Sequence, residues 1–218
     1  MKSLLHISDT HGGLTPLCAE GDVVVHSGDF LPNRTRGIRP VEETFQRAWV
    51  EENAVKIREW IGGRKFLFVP GNHDYADIGA ALRYIGVDAT ELVDEPLTID
   101  GFTFVGFKWV PFFTGDWNYE IGPAEMSERL APIAARLDTG PIDVMVAHAP
   151  IYGVLDRNWR GDRCGNKAMR TMLQAARHVP GFYLCGHIHE GHGYLAWERD
   201  TVIVNSAVGE TLVKLKGG

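Results

Sequence analysis

Thiols are scarce in this chain. Its 218 residues hold three cysteines, Cys18, Cys164 and Cys185, and no C-x-x-C pair. An odd, scattered set predicts neither a disulfide framework nor a zinc ribbon, and it suits a reducing, cytoplasmic setting. Long hydrophobic runs are missing as well. No window approaches the ~18 apolar residues that span a bilayer. The opening MKSLLHISDTHGG runs from a short apolar stretch straight into polar residues, unlike a signal segment. A soluble protein with no membrane partner is expected. Positive charge is also short: 22 Lys and Arg against 28 Asp and Glu leave a net charge of −6, which argues against broad nucleic-acid binding. Repeats, low-complexity tracts and linkers are lacking, so one domain over 1–218 is expected, long enough to bury a core unaided.

What the chain does have is a series of short, continuously apolar runs. SLLHIS (3–8), DVVVHS (22–27), KFLFVP (65–70), IDVMVAH (142–148) and GFYLCGH (181–187) read as strands buried on both faces. Helical patterns lie between them, over 41–61 with Gly62-Gly63 as a stop, over 123–137 opening at Pro123, and over 165–177. LTIDGFTFVGF reads as a hairpin turning at Asp100-Gly101, and the segment after residue 192 as two or three antiparallel strands. An α/β sandwich of mixed sheets follows.

Each strongly polar cluster falls at the C-terminal end of one of these strands: SDTH, SGD, GNHD, AHAP and GHIH. In α/β sheets the loops at that edge converge on ligands. The donors gathered there are Asp9, His11, Asp29, Asn72, His73, Asp74, His148, His187 and His189. Oxygen and imidazole without thiolate favour Mn, Fe, Zn, Ni or Co over copper(I). The set is larger than one catalytic ion needs, and it suits two divalent metal ions sharing a carboxylate. Two arginine-rich loops, NRTRGIR (33–39) and DRNWRGDR (156–163), follow such clusters and are expected either to rim this site or to be solvated surface.

The ordered series D-x-H (Asp9, His11), G-D (Gly28, Asp29), G-N-H-D (Gly71 to Asp74), a lone His148 and G-H-x-H (Gly186 to His189) resembles the calcineurin-like metallophosphoesterases. FKWVPFFTGDWNYE (107–120), HAPIYGVLDR (148–157) and GHIHEGHG are similar to the fetal-brain-type branch, departing from it at Ile151 and His192. The resemblance implies an αββα sandwich with helices on the outer faces. It implies one metal held by Asp9, His11, Asp29 and His189, and a second held by Asp29, Asn72, His148 and His187. A hydroxide bridging the two would be the nucleophile. His73 resembles the family's general acid, with Asp74 as the partner that fixes its orientation.

Plainer readings stand beside these. His6 is expected as a satisfied core residue, and His26 either likewise or as a hydrogen-bond partner of a site carboxylate. His192 is open between surface and pocket. Trp109, Phe112, Phe113, Trp117 and Tyr119 either pack around the hairpin or line the substrate, with Asn118 beside them. The leading function is hydrolysis of a small phosphate ester, most simply a phosphodiester such as a nucleotide. A phosphomonoesterase or phosphoprotein phosphatase is the alternative, disfavoured because GDFLPNRTRG lacks the D-R-G pattern of the protein-phosphatase branch. A nuclease or a non-catalytic nucleotide-binding protein ranks lower.

Overall fold

In the computed structural model, which describes residues 3–18 and 20–215, β1 (Ser3–Ile7) and β2 (Val23–His26) pair in parallel. Helices α1 (Arg39–Glu52) and α2 (Ala54–Ile61) lead to β3 (Lys65–Phe68), and α3 (Ile78–Tyr84) leads to β4 (Ala89–Glu91). The hairpin β5 (Leu97–Ile99) and β6 (Phe102–Phe107) precedes two short strands, β7 (Val110–Pro111) and β8 (Glu120–Ile121). Then come α4 (Pro123–Thr139), β9 (Val144–Ala147), α5 (Lys167–Ala175) and β10 (Phe182–Cys185). β11 (Leu195–Glu198), β12 (Thr201–Asn205) and β13 (Glu210–Lys214) follow.

The strands form two main sheets, ordered β13-β1-β2-β3-β4 and β11-β12-β10-β9-β6-β5. Alternation along each strand gives every sheet two apolar faces. Leu4, Val25 and Leu67 of the first sheet meet Phe104, Val146 and Leu184 of the second in a core between the sheets. Leu5, Val24 and Phe66 turn the other way, onto Val50, Ile57 and Leu82 of α1, α2 and α3. On the far side, Met145 and Tyr183 pack under Leu130, Ile133 and Met172 of α4 and α5. The result is the expected αββα sandwich with helices outside. Among the described residues no helix is long and apolar enough to cross a membrane.

Several elements differ from the sequence reading. The helix expected over 41–61 is two, because Asn53 leaves helical geometry at φ −103° and ψ 14° while its side-chain amide bonds Trp49 O at 2.9 Å. Gly62 then ends α2 in the left-handed region at φ 68°, as the Gly-Gly pair predicts. The hairpin turns at Asp100 and Gly101, both at positive φ. Of the two or three antiparallel strands expected after residue 192, β11 and β12 pair antiparallel with each other, and β13 is antiparallel to a strand of the other sheet. β12 joins β10 in parallel, and β13 crosses over to pair with β1 of the other sheet.

Phe104 is wholly buried in the core between the sheets. Phe104→Ala should therefore lower stability by ~3–5 kcal/mol through lost burial and a residual cavity. Urea unfolding should show the midpoint moving with the slope unchanged; a loss under ~1 kcal/mol would contradict this placement.

Candidate metal centre

The ends of β1, β2, β3, β9 and β10 deliver Asp9 and His11, Asp29, Asn72 and His73, His148, and His187 and His189 to one edge of the sandwich. The local backbone there is unusual. Asp9, His11, Asp29 and His187 sit at φ 55°, 44°, 58° and 65°, a left-handed region that residues other than glycine seldom occupy. Such positions cost ~1–3 kcal/mol each and persist where the surroundings over-determine them.

Two sets of bonds do so here. The loops after β1 and β2 are zipped together, Asp9 N to Gly28 O at 2.9 Å, His11 N to Asp29 O at 3.0 Å and Gly12 N to Phe30 O at 2.8 Å. His26 braces the same pair: its Nδ1 accepts from Gly28 N at 3.1 Å, so its Nε2 carries the hydrogen and meets Thr10 Oγ1 at 3.1 Å. Asp74, fully buried, then ties the β2 loop to the β3 loop. Its carboxylate accepts the backbone N–H groups of Gly71, Asp29 and Leu31, each at 2.8 Å, and of Phe30 at 3.3 Å. Burial and the Asp29 carboxylate push Asp74 up to about 7, against the pull of those amides.

With its oxygens committed to backbone, Asp74 does not orient the His73 ring, which corrects the expectation from sequence. Asn33 does. Its Oδ1 lies 2.7 Å from His73 Nδ1 while its Nδ2 donates to His73 O at 3.0 Å, so the amide oxygen must face the ring. Nδ1 therefore carries a hydrogen, and Nε2 faces the site, 4.0 Å from Asp29 Oδ2. Sequence reasoning missed Asn33, whose only signal was its place in an arginine-rich loop behind the second polar cluster.

Each site aspartate is held by one oxygen and offers the other. Asp9 Oδ2 accepts from His187 N at 2.9 Å, and Asp29 Oδ1 from His73 N at 2.8 Å. Asp29 Oδ2 then lies 3.2 Å from His148 Nε2 and 3.9 Å from His11 Nε2. Asp9 Oδ1 lies 3.3 Å from His189 Nε2, yet it makes no aligned hydrogen bond, alone in this among the buried side-chain oxygens and nitrogens of the described residues. His148 is informative. Its Nδ1 sits 2.8 Å from Ser27 O and must donate, so Nε2 meets Asn72 Oδ1 at 3.0 Å as well as Asp29, acceptors both. A neutral ring would aim a lone pair at those oxygens, and only a cation, proton or metal, resolves the contact. Burial opposes charging His148, but Asp29 outweighs it and lifts the pKa to about 9. The orphaned Asp9 oxygen and the facing acceptors fit divalent cations. Burial, with His148 adding to it, holds His187 down at about 4, as a neutral imidazole.

Three donor groups have ligand atoms within 4.8 Å of one another: Asp9, His11 and His189; Asp9, Asp29 and His148; and His11, Asp29 and His73. His187 joins none of them, its ring standing edge-on to His148 at 4.9 Å between centroids. Trp117 lies against His73, centroids 4.0 Å apart. Two expected substrate contacts are used elsewhere. Asn118 is buried, its amide accepting from Arg39 and donating to Asp74 O at 2.7 Å. Trp109 packs under the Arg129 guanidinium and edge-on to Tyr119. His192 is exposed, with its ring against Gly209. His6 is the satisfied core histidine expected, between Ser27 Oγ at 2.9 Å and Ser206 Oγ at 2.8 Å.

Residues 2–191 match the family described as calcineurin-like phosphoesterase. The chain is 26% identical to human metallophosphoesterase domain-containing protein 1 over 93% of its own length and 64% of that protein's. It is 29% identical to a UPF0046 protein of Caenorhabditis elegans, over 92% of this chain and 68% of that one. It thus spans less than two thirds of the human relative. One solved structure superimposes with a TM-score of 0.70 at 15% identity, covering 98% of this chain and 95% of the other, a likeness of fold. The chain belongs to the calcineurin-like phosphoesterase family and gathers, at one edge of its sandwich, donors able to hold the metal of such an enzyme.

Proposed function

We propose that this chain hydrolyses small phosphodiesters, nucleotides among them, at a centre of two divalent cations. The position of Asp29 Oδ2 carries this reading: it lies 3.2 Å from His148 Nε2 and 3.9 Å from His11 Nε2, between imidazoles of the two ligand sets, as a bridging oxygen must. Asp9, His11, Asp29 and His189 would hold one ion, and Asp29, Asn72, His148 and His187 the other. Hard and borderline donors without thiolate suit Mn. Divalent cations bound there polarise phosphoryl oxygens and lower the pKa of water.

The side chains supply the remainder. Asp9 and Asp29 offset only part of the charge of two dications, leaving a site that attracts a phosphate ester. His73 keeps its Nδ1 hydrogen on Asn33, so Nε2 is the atom that delivers a proton to the leaving oxygen. Trp117 covers one side of that ring and limits its rotation. Asp74 contributes through position alone, holding Asp29 and the His73 loop together.

Protein stripped with chelator and reloaded with Mn should carry close to two ions per chain by elemental analysis. One tightly held ion with full activity would overturn the two-cation centre. Asp29→Asn should lose both ions and turnover, whereas Asn72→Ala should mainly weaken one site.

His73→Ala should keep the metal. It should slow a diester with an alkoxide leaving group by ~10²–10⁴, while a nitrophenyl diester, whose leaving group departs as a stable anion, keeps most of its rate. Asn33→Ala should repeat the pattern more weakly, by about 10–100-fold. Equal slowing of both substrates would show that the ring positions charge and transfers no proton.

A further inference from the structure

The loop after His148 is built with more care than a connection needs. Asp156 is buried within it, accepting Gly153 N at 2.7 Å and Gly165 N at 3.3 Å and pairing with Arg163 Nη1 at 2.8 Å. Arg157 and Arg163 form an antiparallel bridge, and Asn158 Oδ1 caps Arg160 N and Asp162 N at 2.9 and 3.0 Å. This rigid hairpin faces the turn His189–Gly191 across a cleft of about 250 Å³, lined by Leu155, Arg157, Arg163, Glu190 and Tyr194 among others. Glu190 directly follows the candidate ligand His189, and Leu155, Arg157 and Arg163 lie on the loop that leaves His148, so both walls of the cleft continue from segments that carry candidate ligands. It lies on the flank of β9 and β10, whereas His73 and Trp117 stand on the flank of β3 and β6.

We infer that this cleft is the subsite for the ester substituent that stays on phosphorus, and that it takes a nucleoside. The inference rests on the diester reading above. A general acid marks the leaving-group side; the second substituent of a diester needs room away from it, and a monoester has none to place. The cleft is smaller than a pocket that takes a whole ligand, and is sized for one part of a molecule. Its two guanidiniums face two carboxylates, a balance that suits a neutral group better than a further phosphate. Tyr194, 64% exposed, and the guanidinium planes offer stacking faces, and Glu190 offers an acceptor for amino or hydroxyl hydrogens.

Two Mn-loaded reactions test it: hydrolysis of thymidine 5′-(4-nitrophenyl) phosphate and of methyl 4-nitrophenyl phosphate. In both, water adds to phosphorus, the bond to nitrophenolate breaks, and the other substituent remains on the phosphate product. The wild type should prefer the thymidine ester. Tyr194→Ala and Arg157→Ala should each cut that preference about tenfold, through KM and not kcat. Tyr84→Ala, exposed on α3, serves as a control that changes neither rate. No preference in the wild type, or a preference intact in both cleft variants, would overturn the subsite. If the wild type cleaves neither diester and only 4-nitrophenyl phosphate, the diester reading fails. Calorimetric binding of thymidine 5′-methylphosphate then decides the cleft by itself: binding weakened by Tyr194→Ala sustains it, and equal or absent binding overturns it.

Discussion

Two buried carboxylates, each with one oxygen fixed by a backbone amide from a facing loop and the other turned among imidazoles, set the terms for the rest of the molecule. The amide that fixes Asp9 comes from His187, on the opposite sheet, so the two halves of the sandwich must meet at this edge. Close approach of the loops, within the first sheet at Gly71 and between the sheets at Gly186, explains particular glycines. A Cβ at Gly71 would overlap the Asp29 carboxylate, and one at Gly186 would overlap Asp9 and the Ser8 hydroxyl. It also explains why Asp9, His11, Asp29 and His187 hold left-handed backbone, which turns their side chains toward one another.

Charge is distributed to match. Of the buried histidines, His6 and His26 are pushed down to about 3 by burial and are neutral braces, each ring satisfied by hydroxyls or backbone. His148 alone among the wholly buried rings is driven up, because it faces Asp29. The protein thus uses one residue type for two purposes, and the separation comes from what each nitrogen meets. A ring with a hydroxyl or amide partner on both sides is structural, whereas a ring whose second nitrogen meets only acceptors calls for a cation.

The sheet strands and the donor positions were legible in sequence because both depend on local pattern. Apolar runs of four or five residues, each followed by a polar cluster, specify a buried parallel strand and the loop at its C-terminal end. What was not legible depends on distant partners. Asp74 and His73 are neighbours in sequence, which suggests a pair, yet the carboxylate turns to four amides and the ring turns to Asn33, forty positions away. β13 carries the same alternation as β12, and its crossing to the other sheet follows from pairing with β1. α3 and β4 are too short to announce themselves by period. Aromatic density between 109 and 119 likewise could not tell Trp117, against the catalytic candidate, from Trp109, under an arginine.

Bonds within the protein hold this edge of the sandwich together, and that bears on how the fold and the cations of such a centre would relate. Asp74, the zipped loops and the His26 brace hold the donors in place through bonds that involve no metal. Bound cations would add their stabilisation to the native state alone, since the unfolded chain scatters ligands drawn from residues 9 to 189. They would also offset two costs the protein part leaves standing, the orphaned Asp9 oxygen and the facing acceptors at His148. The rigid parts therefore lie at the ends of the core strands. The loops that leave them on the His73 flank bring Asn33 and Trp117 to that ring, so the side chain proposed to move a proton is placed by residues outside the core strands.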